Sequence, residues 1–323
     1  MTMNQSLKLA EAQKIHEIVI MHDELRQIYE VLKETINITE ILLGEGKIIS
    51  PDSICLTGNA GTGKTTLSKI LMKEFPKKVI IDQDLEIQTH PILFTSIQGK
   101  SVNGLAKVML AQLGDHSAKN INEKTGLTER LKRQLKSART NLIIFDEFHE
   151  LLTDKNRKEV LGWVKALINA TGIPILLMGT PGVESLIETN DEDVRRILKL
   201  YIGKLDYAYD QPSNQFYNYV TSLVDVYKKK LGFKSFYGFE KNSDFLRIFL
   251  ATNGYPSNIA ELFKNAAKAA IREGSIEVTI NHLATGFNFS KNIDLLIGNH
   301  NPFKMKIEDA YQLHRSPITS VSK

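Results

Sequence analysis

The chain has 323 residues, 42% of them hydrophobic and 24% charged, with a formal net charge of +4. That length is about two domains at roughly 150 residues each, and the composition excludes a disordered or fibrous protein. The single cysteine, Cys55, excludes a disulfide framework and a cysteine-rich metal site.

No apolar run approaches the ~20 residues that span a bilayer. The opening stretch MTMNQSLKLAEAQKIHEI has no apolar signal core, so a cytoplasmic location with no membrane partner is expected. The small positive excess is compatible with an anionic partner and decides nothing alone.

In chain order, residues 7–36 read as one amphipathic helical stretch with Ile18, Leu25, Ile28 and Leu32 on one side. It makes residues 1–40 an N-terminal helical segment, expected to pack on the core near a bound base or to meet a partner. The run ICLTGNAGTGKTTLS follows. A short β-prone run precedes Gly58, Asn59, Ala60, Gly61, Thr62, Gly63, Lys64, Thr65 and Thr66, and helical spacing at Leu67, Ile70, Leu71 and Phe75 follows them. The pattern G-x-x-x-x-G-K-[ST] between a strand and a helix turns backbone N–H groups inward around phosphates. Lys64 neutralises phosphate charge and the Thr65 hydroxyl reaches Mg²⁺, so ATP and Mg²⁺ are the expected cofactors.

The stretch KKVIIDQDLEI reads as an extra edge strand or a hairpin, and PILFTSI as a strand. In RTNLIIFDEFHELL a continuous apolar run ends in Asp146 and Glu147, as in a parallel strand covered on both faces. Asp146 fits the acid that holds the hydration shell of Mg²⁺, and Glu147 fits a group that orients or deprotonates a water. A small-molecule kinase needs no such second acid, so the pair favours hydrolysis. The helical pattern RKEVLGWVKALINATG leads to the strand GIPILLMGTP, which ends in Thr180; in the additional-strand P-loop ATPases, which this arrangement resembles, a polar residue at that tip bonds the γ-phosphate or the attacking water, a role that suits Thr180. Strands alternating with helical patterns predict an α/β fold with a parallel sheet.

From QPSNQFYNYV to VTINHLATGFNF the pattern is helical throughout, with Tyr217, Val220, Val224 and Tyr227 forming a core stripe. Lys228, Lys229 and Lys230 end the first of these helices, where cations favour the helix dipole. From about residue 288 the pattern weakens into an expected mobile or partner-binding tail. His149, just past Glu147, reads as a structural neighbour of the acids.

The combination of GNAGTGKT, NLIIFDEFHEL, ILLMGTPGVESLI and NGYPSNIAELFKNAAKAAI resembles the AAA+ transposition ATPases of the TnsC/TniB group, relatives of MuB that include the TnsC proteins of CRISPR-associated transposons. The resemblance covers roughly residues 40–285 and implies an AAA+ P-loop core over 41–210, an all-α lid over 211–287 and a tail over 288–323. It implies ATP bound between neighbouring subunits, homo-oligomeric rings or filaments around double-stranded DNA, and a link between a TniQ-like target selector and transposase subunits. Hydrolysis then times disassembly.

Further residues follow from that resemblance. Arg195 or Arg196 is the expected arginine finger, reaching the γ-phosphate of a neighbour. Asn258 stands where many AAA+ proteins carry a lid arginine; it can bond phosphate but brings no charge, which points to slow or partner-stimulated turnover. Lys100, Ser101, Asn103 and Lys119, with Lys107 nearby, are the expected contacts to the DNA backbone, which position without specifying sequence. Other readings stay open: an IstB-like or helicase-loader protein, or a signalling NTPase acting only on protein partners.

Overall fold

The computed structural model describes residues 13–49, 51–82, 85–97, 101–120, 124–153, 155–187, 197–208, 214–237, 242–290 and 300–315. They fall into two compact units. A core unit comprises the described residues of Glu24–Ala60 and Lys64–Ile202, and a helical unit those of Met1–Asp23, Gly61–Gly63 and Gly203–Lys323.

Helix α1 (Asp23–Gly44) buries Leu25, Ile28, Tyr29, Leu32 and Ile36. The expected single helix over 7–36 is broken: residues 18–22 are not helical, Ile18 packs against the helical unit's core, and α1 runs on past residue 40 to Gly44. One apolar run is thus divided, Ile15 and Ile18 belonging to the helical unit's core and the buried residues from Leu25 onward to α1.

Strand β1 (Ser53–Thr57) is buried along its whole length and leads through the glycine loop into α2 (Lys64–Glu74). Next, β2 (Lys78–Asp82) and β3 (Leu85–Thr89) pair antiparallel as a hairpin, one of the two forms expected for this stretch. Then β4 (Ile92–Ser96), α3 (Val102–Gln112), α4 (Lys124–Ser137), β5 (Leu142–Asp146), α5 (Arg157–Thr171), β6 (Ile175–Gly179), α6 (Val183–Ile187) and β7 (Ile197–Tyr201) complete the unit.

The five-stranded sheet has the order β4-β5-β6-β1-β7, with every neighbouring pair parallel. β1, β5 and β6 are buried at all five positions, which is why they read as unbroken apolar runs. Register sets the chemistry: Thr57 lies opposite Gly179, and Phe145 opposite Leu177. The carboxyl ends of three central strands therefore open on one edge, where open α/β sheets bind ligands. Phe145, Phe148 and Trp163 pack beneath it, with ring centroids 6.2 and 6.3 Å from Phe145.

In the helical unit, α7 (Gln215–Leu231) starts at Asn214, whose side chain accepts the Tyr217 N–H at 3.2 Å. Its stripe of Tyr217, Val220, Val224 and Tyr227 is buried, as its spacing predicts. α8 (Asn242–Thr252), α9 (Pro256–Glu273), with proline in its first turn, and α10 (Ile280–Phe289) follow. Two-residue strands β8 (Ser235–Phe236) and β9 (Glu277–Val278) pair in parallel within a region whose pattern is helical throughout. Gly254 has φ +72°, and a Cβ there would sit 2.0 Å from the Leu205 carbonyl oxygen. Its own carbonyl accepts the Leu205 N–H at 2.9 Å, so this close approach demands glycine.

Residues 300–315, expected to lie in a mobile tail, carry α11 (Ile307–Arg315), with Phe303 and Ala310 buried in the helical unit's core. The buried Arg247 guanidinium donates to the carbonyls of Pro302 and Met305, the latter at 2.9 Å. Phe303 and Ala310, with Met305, Ile307, Tyr311 and Leu313 packed beside them, and the buried Arg247 cation hold this stretch.

Candidate functional site

The site of the core unit begins where β1 ends. Gly58 donates its N–H to the Gly179 carbonyl at 3.2 Å, so the first glycine of the loop is fastened to the tip of β6. The Lys64 ammonium donates to the carbonyls of Gly58 and Asn59 at 2.6 and 3.0 Å, and so lies over the loop. Burial holds its pKa below the usual lysine range, while the Glu147 and Asp146 carboxylates pull it upward. A buried cation facing two acids suits a polyanionic ligand bridged by a metal.

Asp146 is buried and uses both carboxylate oxygens: one accepts the Thr65 hydroxyl at 3.1 Å, the other the Glu147 N–H at 3.0 Å. A hydroxyl and a carboxylate in contact at a helix start form the donor set that a hard cation shares with phosphate oxygens and water. Among the described residues no group of three or more His, Cys, Asp or Glu side chains converges on a metal position. The Thr65 hydroxyl and the Asp146 carboxylate fit magnesium held jointly with a nucleotide.

Glu147 adopts a left-handed backbone, φ 57° and ψ 41°, unusual for a residue with a side chain. Half of the side chain is exposed. His149 Nδ1 lies 3.4 Å from one Glu147 carboxylate oxygen. A Cβ on Gly179 would stand 3.5 Å from that ring nitrogen. His149 thus stands between the acid and the tip of β6. Thr180 follows at that tip, half-buried, its carbonyl accepting the Val183 N–H at 3.3 Å.

A residue whose role the sequence reading left unassigned completes the edge. The fully buried Thr57 hydroxyl donates to the carboxylate of Glu184, on α6, 127 positions away. Together with the Gly58 bond, this ties the start of the phosphate loop to the turn that carries Thr180. Glu184 lies inside the quoted stretch MGTPGVESL; nothing local in that stretch names its partner.

In the helical unit, loop residues Gly61 and Gly63 have φ +86° and +107°. A Cβ at Gly61 would come 2.4 Å from the Ser257 hydroxyl oxygen, and the Gly61 carbonyl accepts the Ser257 N–H at 3.1 Å. The buried His22 ring places Nε2 3.3 Å from the Thr62 carbonyl oxygen, another contact with no local sequence signal. Asn258 is buried and donates one amide N–H to the Thr252 carbonyl at 3.2 Å.

The residues expected to touch DNA divide. Lys107 Nζ donates to the Lys119 carbonyl at 3.1 Å, so these two lysines meet, and Lys119 is exposed. The neighbouring loop is braced by Arg130, which grips the Asp115 carboxylate and holds its pKa below the usual range. Ser101 caps α3 by accepting the Gly104 N–H at 3.1 Å. Asn103 sits in the first turn of α3 with its side-chain oxygen buried and unpartnered among the described residues. Lys100, Arg195 and Arg196 lie outside the described residues.

Residues 48–187 match the model of the AAA domain family. Among solved structures, the chain is similar to the Aeropyrum pernix Orc1 protein in complex with DNA, with 16% identity, TM-score 0.50, and coverage of 83% of this chain and 65% of that one. It is similar too to Cdc6p from Pyrobaculum aerophilum, with 16% identity, TM-score 0.50, and coverage of 79% and 65%. The chain therefore spans about 65% of the length of these two structures. No curated protein matches the chain at a significant level. The fold is that of an AAA+ P-loop ATPase domain with a C-terminal helical region. No described helix is long and apolar enough to cross a membrane.

Proposed function

We propose that the chain is an ATP-dependent, DNA-binding regulator of transposition that assembles as rings or filaments on duplex DNA and couples a TniQ-like target selector to transposase subunits. The observation that carries the ATPase part is the Asp146 carboxylate, which joins the Thr65 hydroxyl to the Glu147 N–H. Gly58–Thr66 and Lys64 hold the phosphates of ATP, and Thr65 with Asp146 holds Mg²⁺. Bound magnesium neutralises phosphate charge; Glu147 orients or deprotonates the attacking water, and Thr180 bonds that water or the γ-phosphate. Arg195 or Arg196 of a neighbouring copy supplies the trans charge, and Asn258 adds a neutral donor, in keeping with slow turnover.

The transposition part rests on the joint likeness of GNAGTGKT, DEFHEL and MGTPGVESL to the TnsC/TniB group. Lys100, Ser101, Asn103 and Lys119 are the proposed contacts to the DNA backbone. The fold likeness to Orc1 and Cdc6 favours a second reading, a loader or initiator type of AAA+ switch. Reconstitution of insertion with a TniQ-like selector and transposase subunits separates the two. Insertion that needs this protein and ATP, and fails with Lys64→Ala, supports the first reading; insertion at full rate without the protein overturns it.

A further inference from the structure

Helix α9 carries Lys264, Lys268 and Arg272 at successive four-residue steps. About 6 Å of helix rise separates neighbouring cations, and all three share one side. The opposite side, including Leu262, Phe263, Ala266 and Ala270, is buried, which fixes the direction in which the basic stripe points.

Two other segments of the same unit bring charge to that stripe. Ile15 is buried in the unit's core and pins its exposed neighbour His16. Lys264, burial and Lys268 together lower the pKa of His16. Lys230, in the last turn of α7, donates to the Glu17 carbonyl at 3.4 Å and so reaches the same segment. Burial, then Lys264 and Arg272, lower the pKa of Lys268. Neither Lys264 nor Lys268 has a carboxylate ion-pair partner among the described residues. Like charges four residues apart repel, so the cluster works against the helix that bears it.

We propose that the surface formed by His16, Lys230, Lys264, Lys268 and Arg272 docks the phosphate backbone of duplex DNA. The inference rests on the DNA-binding reading and adds a second contact region, on the helical unit. An evenly spaced ladder suits a repeating polyanion better than a single phosphate. Besides its cations the stripe holds Ser257, Glu261 and Asn265, and the aliphatic residue at its edge, Ile271, packs on the unit's own core. Protein interfaces are depleted in lysine and built on aromatic or aliphatic anchors, whereas phosphate contacts use lysine and arginine.

The test is fluorescence anisotropy of a labelled duplex with the full chain and a non-hydrolysable ATP analogue, titrated across salt. K264Q/K268Q should weaken binding and flatten the log–log salt slope by about 1.8, two contacts at ~0.9 each, while K264R/K268R keeps both. ATP affinity, read in parallel, should be unchanged. Wild-type affinity and slope in K264Q/K268Q overturn the proposal. Loss of binding in K119Q but not in K264Q/K268Q also overturns it and leaves the core contacts standing; the reverse pattern supports it. A wild type that ignores duplex DNA but binds a labelled poly-glutamate peptide through these lysines overturns it in favour of an acidic protein partner.

Discussion

Position 147 offers a separation of stability from chemistry. Glu147 holds φ 57° and ψ 41°, and half of its side chain is exposed. A residue with a Cβ loses about 1–2 kcal/mol in that conformation, and glycine in its place loses about 0.5–1 kcal/mol more backbone entropy on folding. The difference predicts that Glu147→Gly leaves stability unchanged or raises it by up to about 1.5 kcal/mol. Hydrolysis should move the other way. Removing a general base costs about 10²–10⁴ in rate, or about 2.7–5.4 kcal/mol at ~1.36 kcal/mol per decade. Glu147→Gln, which keeps the side chain's shape, should show the same loss with ATP still bound. The assays are urea unfolding, single-turnover phosphate release and binding of a fluorescent ATP analogue. A Glu147→Gly protein destabilised by more than about 1 kcal/mol would refute the strain, and full hydrolysis by Glu147→Gln would mean another base.

Other positions test the frame around that acid. Glu184→Ala should cost about 1 kcal/mol, because the Thr57 hydroxyl can fall back on the Leu200 carbonyl 3.4 Å away. The same variant should slow hydrolysis more than it weakens ATP binding, and equal losses in both would remove Glu184 from a positioning role. Gly254→Ala must relieve a 2.0 Å approach to the Leu205 carbonyl at φ +72°. It should destabilise the helical unit by more than the ~1–2 kcal/mol of the left-handed backbone alone, read by urea unfolding; a neutral result refutes the contact. Cys55 is fully buried, and burial, with the Glu184 carboxylate adding, pushes its thiol up to about 12. A thiol reagent at pH 8 should therefore modify it only after denaturation, and rapid labelling of the native protein would contradict its place in β1.

What the sequence disclosed follows from the range of the interactions involved. The loop Gly58–Thr65 and the acids at the end of β5 are local patterns whose function requires their spacing, and they are legible without a structure. The same holds for β1, β5 and β6, where burial on both faces leaves unbroken apolar runs. Bonds formed across long separations leave no such trace: Thr57 with Glu184, His22 with the Thr62 carbonyl, and Arg247 with the carbonyls of Pro302 and Met305. β8 and β9 are two residues each, too short for any alternation to register. The division of one apolar run between Ile18 in the helical unit and Leu25 in α1 was hidden because periodicity reports a face, not what covers it. Asn258 and Ser101 show the same limit from the polar side, since each has a bond within its own unit that residue type alone does not reveal.

The central claim is that ATP gates assembly of this chain on DNA. The most direct measurement is electron microscopy of the purified protein with duplex DNA, with and without a non-hydrolysable ATP analogue. Rings or filaments on DNA only with the analogue are the predicted result. Monomers that ignore DNA in both conditions would contradict the account and leave a nucleotide switch whose partner is protein.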